Sequence, residues 1–511
     1  MTSPTQTVTK ATQLRQWIPI SLIMLIAATL YLYRIDTESF WIDELTSVTD
    51  IQTGRGLPPR NLVRPLYYIL LLVWSQVSTT DAWLRGLSVL FALGSVFLVY
   101  QLGRRLAGEP EGLISALLLA LSPLFINHAQ EARMYIMSAC LGLGGTLALT
   151  HALMTEKSKH PNVASMGGWI GLRLLATLTV PLNVSLLVPD ILLIGWRFRN
   201  QRPVLFNFGK WLLLFGILWL PCVFSVIKVA SPDSSYGQSG HVAGRQAPDL
   251  LLLARALKYF TVWPFAVQSN AIAAGFYKVF TGVVAGLIGA ALIKNRNSSK
   301  LFWVAAWAFL PLAQIFLFSY ISISLWIDRY LLFVSPYILI LLAAGIMRLW
   351  RQWRIMGIVV ALAYALAISG GLVRYYTVQD RPNYKGVVQV INRYEQPGDV
   401  IIWSMYYAKA LAHYYKGSAQ KSQRILLSSA GKSEIESWLR DLPPIQSRLW
   451  LAFEISEKNS HLLKTALEKR FTIHKHQVFE GRIGADKTME IFLVTPHSAD
   501  NPDKGNSAEV K

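Results

Sequence analysis

Asp43 and Glu44 stand side by side in SFWIDELTSV (39–48), a few residues beyond the first long apolar run of the chain. A carboxylate placed beside a reacting hydroxyl takes its proton, the work of a general base. A second polar stretch, NHAQEARMY (127–135), carries His128, Glu131, Arg133 and Tyr135. A third begins at DRYLLF, with Asp328, Arg329 and Tyr330, and RPLYYILLLVWSQV (64–77) opens on Arg64 and carries Tyr67. Guanidinium groups donate charge-assisted hydrogen bonds to phosphate oxygens. Acids and arginines together therefore suit group transfer at a charged head group. Each element also has a plainer reading. Adjacent acids are often a solvated loop, Glu131 with Arg133 a local ion pair, and Arg329 a snorkelling anchor. Tyr67 and Tyr68 are common interfacial packing residues. His128 and Glu131, spaced i and i+3, admit a metal pair, but two ligands alone make a poor metal site.

These residues must be positioned by membrane helices. The chain has 511 residues, of which 53% are hydrophobic and only 15% charged, too apolar for an ordinary soluble domain. Apolar runs of about 20 residues recur, the length that crosses a bilayer. Its 17 Trp, 21 Tyr and 22 Phe gather near the ends of those runs, as interfacial belts do. The formal charge of +20 sits mostly in short loops between runs, where basic residues set orientation. That distribution argues against nucleic acid and for acidic lipid head groups. Cys140 and Cys222 lie far apart within apolar runs and imply neither a disulfide framework nor a metal.

Residues 1–16 read as a cytoplasmic tail, with Lys10 and Arg15 before a retained first span at 17–33. The stretch 64–77 is short for a span and reads as a surface helix. Further spans are expected at 82–103, 111–127 and 134–154, as a hairpin over 168–196, and at 209–229, 274–293 and 301–320. Another starts near DRYLLF and ends at RLWRQWR, and the last covers 355–373. The total is about eleven transmembrane helices with basic inner loops. Arg173 and Asp190 fall inside the 168–196 hairpin, where charges are paired or line a cavity. The acids and arginines of the opening paragraph all fall on the outer face.

The composition changes near residue 377, so a membrane domain over 17–376 is expected to be followed by an extracytoplasmic α/β domain over 377–496. VIIWS, RILLSS, RLWLAFEIS and MEIFLVTP read as strands, with KSEIESWLRDL and SHLLKTALEKRF as helices. Residues 497–511 read as a disordered tail.

Taken in order, FWIDE, PLYYILLLVW, ALSPLFINHAQEARMY, RYLLFVSPYILILLAAG and PGDVII resemble glycosyltransferase family 39 of the GT-C superfamily, whose members include protein O-mannosyltransferases and lipid-A aminoarabinose transferases. The resemblance runs from about residue 17 to 410. It implies a GT-C architecture and an enzyme moving a hexosyl or pentosyl group from a polyprenyl-phosphate-linked sugar on the non-cytoplasmic side, in a bacterial plasma membrane. The acceptor would be a lipid, protein or glycan. Asp43 matches the family's catalytic acidic position and is expected as general base, with Glu44 orienting it or the sugar. Glu131, Arg133, Tyr135, Arg329, Tyr330, Tyr67 and Arg64 are expected as substrate-binding residues. No cofactor is fixed, and a divalent cation on Glu131 is the one candidate. One base opposite the leaving phosphate implies inversion.

The chain departs from the family's pattern in two places. Arg64-Pro65-Leu66 replaces the usual His-Pro-Pro-Leu, and TLTVPLN lacks the Thr-His-Tyr element of many relatives. Both weaken an inherited metal site. Arg64 reads more simply as an interfacial anchor than as a phosphate contact. The competing classes are a transporter or lipid flippase, and a non-catalytic partner in glycan assembly. The first predicts charges at the midplane and repeated halves, the second indifference to Asp43.

Overall fold

The computed structural model describes residues 10–52, 59–153, 161–230, 248–263, 271–293, 298–321, 324–378, 381–404, 408–427, 429–442, 448–479 and 487–497. All but the first residue of the expected 497–511 tail, and residues 231–247, lie outside them. The chain divides into two compact units, residues 1–35 with 50–375 and residues 36–49 with 376–511.

The first unit is all helical. Among the described residues, eight helices are long and apolar enough to cross a membrane, or nine if the bent pair Glu109–Ala120 and Pro123–Ala129 counts as one span. Trp17–Leu32 and Val163–Thr179 are apolar but shorter, so length and composition do not establish the expected count of eleven. The bent pair turns by 61° at a Leu-Ser-Pro break. Ser122 accepts a hydrogen bond from the Phe125 amide there, and Pro123 occupies the first turn, where a missing N–H costs nothing. Between Asp81–Leu106 and Glu109–Ala120 the chain reverses at Gly108, whose φ of +140° an L side chain rarely adopts.

Helix Ser335–Gln352 is central, with every residue from Tyr337 to Ala343 fully buried. It packs on Ala271–Leu292, Glu109–Ala120 and Ser298–Ile321. Helices Arg202–Ala230, Ala271–Leu292 and Arg354–Thr377 instead leave Leu213, Ile217, Val279, Leu362 and Leu366 exposed. Helices apolar all round, with their outer side chains uncovered, are what a lipid solvent demands.

The 168–196 hairpin is Val163–Thr179, a 3-10 turn Pro181–Leu186, and Leu187–Phe198. Pro181 ends the first arm and Asn162 caps its start. The 64–77 segment is a shorter helix, Pro65–Trp74. Its last residue is clasped by Trp83: the two indoles stack at 4.4 Å, and each N–H donates to the other's backbone carbonyl, at 2.6 and 2.9 Å.

The second unit carries a five-stranded sheet in the order β2-β1-β3-β5-β4. Its strands are β1 (Val400–Ser404), β2 (Gln420–Gln423), β3 (Leu449–Ser456), β4 (Phe471–Phe479) and β5 (Lys487–Pro496). β1 runs parallel to β2 and β3, while β5 is antiparallel to β3 and β4. Ile402, Leu451, Phe453, Leu463, Leu467, Phe492 and Val494 form its core. Two strand expectations need correction. RILLSS is not a strand; the neighbouring Gln420–Gln423 is, an exposed edge with no apolar alternation to reveal it. FTIHKHQVF is a strand the sequence reading missed, because an edge strand mostly open to water carries polar residues on both faces.

Candidate functional site

In the first unit, three segments bring the expected substrate-binding residues together. Pro65 starts the short surface helix and leaves Arg64 at its head, turned onto the 3-10 turn Asp328–Val334. There its Nη1 donates to the Tyr330 hydroxyl at 3.0 Å, and its guanidinium lies 5.7 Å from the Tyr330 ring centre. Arg64 is thus engaged inside the unit rather than serving as a bare interfacial anchor. Arg329 lies 5.9 Å from the same ring centre.

Arg133 is buried just before helix Tyr135–Leu153. Its Nη1 donates to Tyr68 at 3.4 Å and its Nη2 to Tyr135 at 3.3 Å. The Tyr135 and Tyr330 rings meet at 5.5 Å, which joins the Arg64 and Arg133 halves into one cluster. Tyr67 is buried edge-on to Tyr68 at 5.8 Å.

Glu131 faces His128 rather than standing alone. His128 Nδ1 lies 2.9 Å from Glu131 Oε2, and Asn127 Nδ2 donates to Oε1 at 3.3 Å. The imidazole also meets the Tyr135 ring at 5.3 Å. Backbone bonds hold this loop: Ser88 donates to the Glu131 carbonyl at 2.6 Å and to that of Arg133 at 3.2 Å. Gln130 points elsewhere. It donates to the carbonyls of Leu30, Tyr31 and Tyr33 at the end of the first helix, and accepts from Tyr375 at 2.8 Å. The conspicuous QEAR motif therefore divides its labour between capping a helix and furnishing the cluster.

Sequence reasoning missed Tyr68, Asn127 and Tyr259 as members. Tyr259 lies on Leu250–Thr261, a helix between the spans expected at 209–229 and 274–293. Burial pushes its phenol up, and the carboxylates of Asp328 and Glu131 add to this while Arg329 opposes it. The amphipathic pattern LLLLARALKYF was the signal available.

Asp43 and Glu44 belong to the second unit, in the first turn of helix Ile42–Gln52. Asp43 is half-buried and Glu44 fully buried. Glu44 Oε2 accepts from the Trp41 amide at 3.2 Å and from Arg381 Nη1 at 3.3 Å, and Arg381 Nε lies 3.4 Å from Glu38. Lys385 bonds Asp36 through Nζ at 2.8 Å and Ser39 through its amide at 2.9 Å, and the Phe40 amide donates to Tyr414 at 2.7 Å. The stretch that carries the two acids is thus tied at five residues to the chain beyond 380. Negative charge at a helix N-terminus is also favoured by the helix dipole.

Among the described residues, no three or more His, Cys, Asp or Glu side chains are grouped to hold a metal ion. His128 and Glu131 supply two ligands and no third joins them, so the donor set does not fit a divalent cation held by protein alone.

No family model matches the chain, and no curated protein matches it. Solved structures do. ArnT from Cupriavidus metallidurans bound to undecaprenyl phosphate superposes with a TM-score of 0.55 at 12% identity, over 93% of this chain and 98% of that one. The oligosaccharyltransferase of Archaeoglobus fulgidus, tethered to an acceptor peptide, gives 0.51 at 11% identity, over 97% of this chain and 75% of that one. Its complex with an inhibitory peptide and a dolichol-phosphate gives 0.50 at 12% identity, over 97% and 76%. At such identities the likeness is one of fold. It matches the fold expected from the motifs: many apolar helices of membrane-spanning kind, arranged as in these solved proteins, and a small C-terminal sheet domain.

Proposed function

We propose that the protein is an integral membrane glycosyltransferase that moves a hexosyl or pentosyl group from a polyprenyl-phosphate-sugar donor to a lipid, protein or glycan acceptor. The carrying observation is the cluster in which Arg64 and Arg133, each bonded to tyrosine hydroxyls, are joined through Tyr330 and Tyr135. Guanidiniums gathered in one place offer charge-assisted donors that suit the oxygens of a phosphate. Arg329 adds a third positive group at Tyr330. The cluster lies at the start of helix Tyr135–Leu153 and of the apolar stretch Asp328–Gln352. A phosphate bound there leaves its prenyl chain to the lipid.

In the proposed step the acceptor oxygen attacks the anomeric carbon. The bond from that carbon to the phosphate oxygen breaks, its electron pair stays on the polyprenyl phosphate, and the acceptor proton passes to Asp43. The arginines stabilise the charge that grows on the phosphate. The role of Asp43 rests on the FWIDE resemblance, and attack opposite the leaving phosphate inverts the anomeric carbon. Glu44, committed to Arg381 and to the helix start, orients the turn that presents Asp43. The reading places the N-terminus in the cytoplasm, the sheet domain outside and the protein in a bacterial plasma membrane.

The test is turnover. Membranes holding wild type or Asp43→Asn receive labelled polyprenyl-phosphate sugars and a cell-envelope extract. Transfer by the wild type alone, with release of polyprenyl phosphate, supports the reading. Equal transfer by both removes Asp43 as base. Movement of lipid across the bilayer without transfer sinks the transferase and leaves the flippase.

A further inference from the structure

One buried nitrogen in the cluster is not used by the proposed step. His128 is almost wholly buried, and its Nδ1 is taken by Glu131. Its Nε2, equally buried, has no hydrogen-bond partner among the described residues, and nor does the buried Nε of Arg64. Burying a polar atom without a partner is costly, and such atoms in a native structure call for an explanation. Packing does not supply one. Asparagine at this position would reach Glu131 equally well and leave no orphaned nitrogen. The two atoms also belong to one contiguous array, running from Arg64 through Tyr330 and Tyr135 to His128.

We propose that Nε2 of His128 is a further contact for the phosphate of the lipid-linked donor, alongside the arginines of the cluster. The inference rests on the glycosyltransferase reading above. Glu131 lies against Nδ1 and fixes the orientation of the ring. In the bound complex Nε2 carries a proton. Nε2–H then donates to a phosphate oxygen. When the bond to the anomeric carbon breaks, the electron pair stays on that phosphate, so the contact strengthens as the sugar departs. The acceptor proton still goes to the base, and His128 keeps its own.

Two substitutions separate this from a purely structural role. In His128→Asn the amide takes the place of Nδ1, so Glu131 is still bonded and the outer donor is gone. In His128→Gln the amide takes the place of Nε2, so the outer donor stays and the Glu131 contact is lost. The full chain in lipid nanodiscs is titrated with undecaprenyl phosphate, and unliganded melting is recorded beside it. We expect His128→Asn to melt like wild type and bind about tenfold or more weakly, with His128→Gln closer to wild type in affinity. Normal binding by both variants, or weak binding by His128→Gln alone, overturns the proposal. Should His128→Asn fail to fold, the nitrogen-15 shift of His128 Nε2 decides: a change on adding undecaprenyl phosphate supports the contact, and no change refutes it. A wild type that does not bind undecaprenyl phosphate refutes the functional reading itself, a distinct outcome.

Discussion

Arg173 and Asp190 meet through two N–H···O bonds, Nε to Oδ2 at 2.7 Å and Nη2 to Oδ1 at 3.0 Å, with both side chains fully buried. The remaining capacity of each is also taken. Arg173 donates to the Gly142 carbonyl at 2.7 Å and to Thr146 at 2.8 Å, and Asp190 accepts from the indoles of Trp169 and Trp307 at 2.7 and 2.8 Å. A transport site needs groups that exchange partners; these are held by residues of three helices and by one another. The pair is a structural knot rather than the midplane site that the transporter reading predicts.

Breaking that knot on one side strands a buried charge. Asp190→Ala is expected to cost about 3–5 kcal/mol of stability. The paired change Arg173→Met with Asp190→Leu is expected to cost much less, because no charge is left alone. Thermal unfolding in detergent checks both, and equal losses would mean that packing rather than charge is at stake.

Arg64 and Tyr330 give a prediction about donor affinity. Arg64→Ala is expected to raise the donor KM about tenfold or more, the worth of one or two charge-assisted hydrogen bonds, with a smaller change in kcat. Arg64→Lys should recover only part of this, since an ammonium cannot offer the planar fork. An unchanged KM in both would return Arg64 to the role of an anchor.

Glu44 and Arg381 are expected to couple. Each single change, Glu44→Gln and Arg381→Leu, should destabilise the second unit by about 1–3 kcal/mol. The double change should cost clearly less than the sum, as for residues that share one interaction. A double-mutant cycle on chemical unfolding reads this directly, and strict additivity would show that the 3.3 Å contact contributes nothing.

Gly345 tests the central helix. A Cβ there would collide with the backbone carbonyl of Leu287 on Ala271–Leu292, which has no flexible end to move aside. Gly345→Ala should therefore cost about 1–3 kcal/mol by forcing the helices apart. Gly286→Ala, where nothing lies within 4 Å, is the control and should be neutral or slightly stabilising. Comparable losses at both sites would refute the close crossing.

Much of the first unit was legible because its signals are local. Apolar runs, the Leu-Ser-Pro break and Pro65 determine helices and their ends whatever the neighbours do. The α/β character of the second unit showed the same way, except at β2 and β4, where open edges lack apolar periodicity. Motif order pointed to Asp43, Glu131, Arg133 and Arg329, since each is a rare charge beside an apolar run.

Direction and partnership were not legible. QEARMY reads as one motif, yet Gln130 caps the first helix while Arg133 turns to Tyr68 and Tyr135. Glu131 reads as the mate of Arg133 and instead faces His128. Glu44 reads as the partner of Asp43, yet its bond is to Arg381, far along the chain. The sequence by itself determined which residues are charged and which segments are helical, because those follow from side-chain type and local periodicity. Only the tertiary structure decided which charge meets which, because a guanidinium or carboxylate bonds whatever the packing of distant segments brings within about 3 Å.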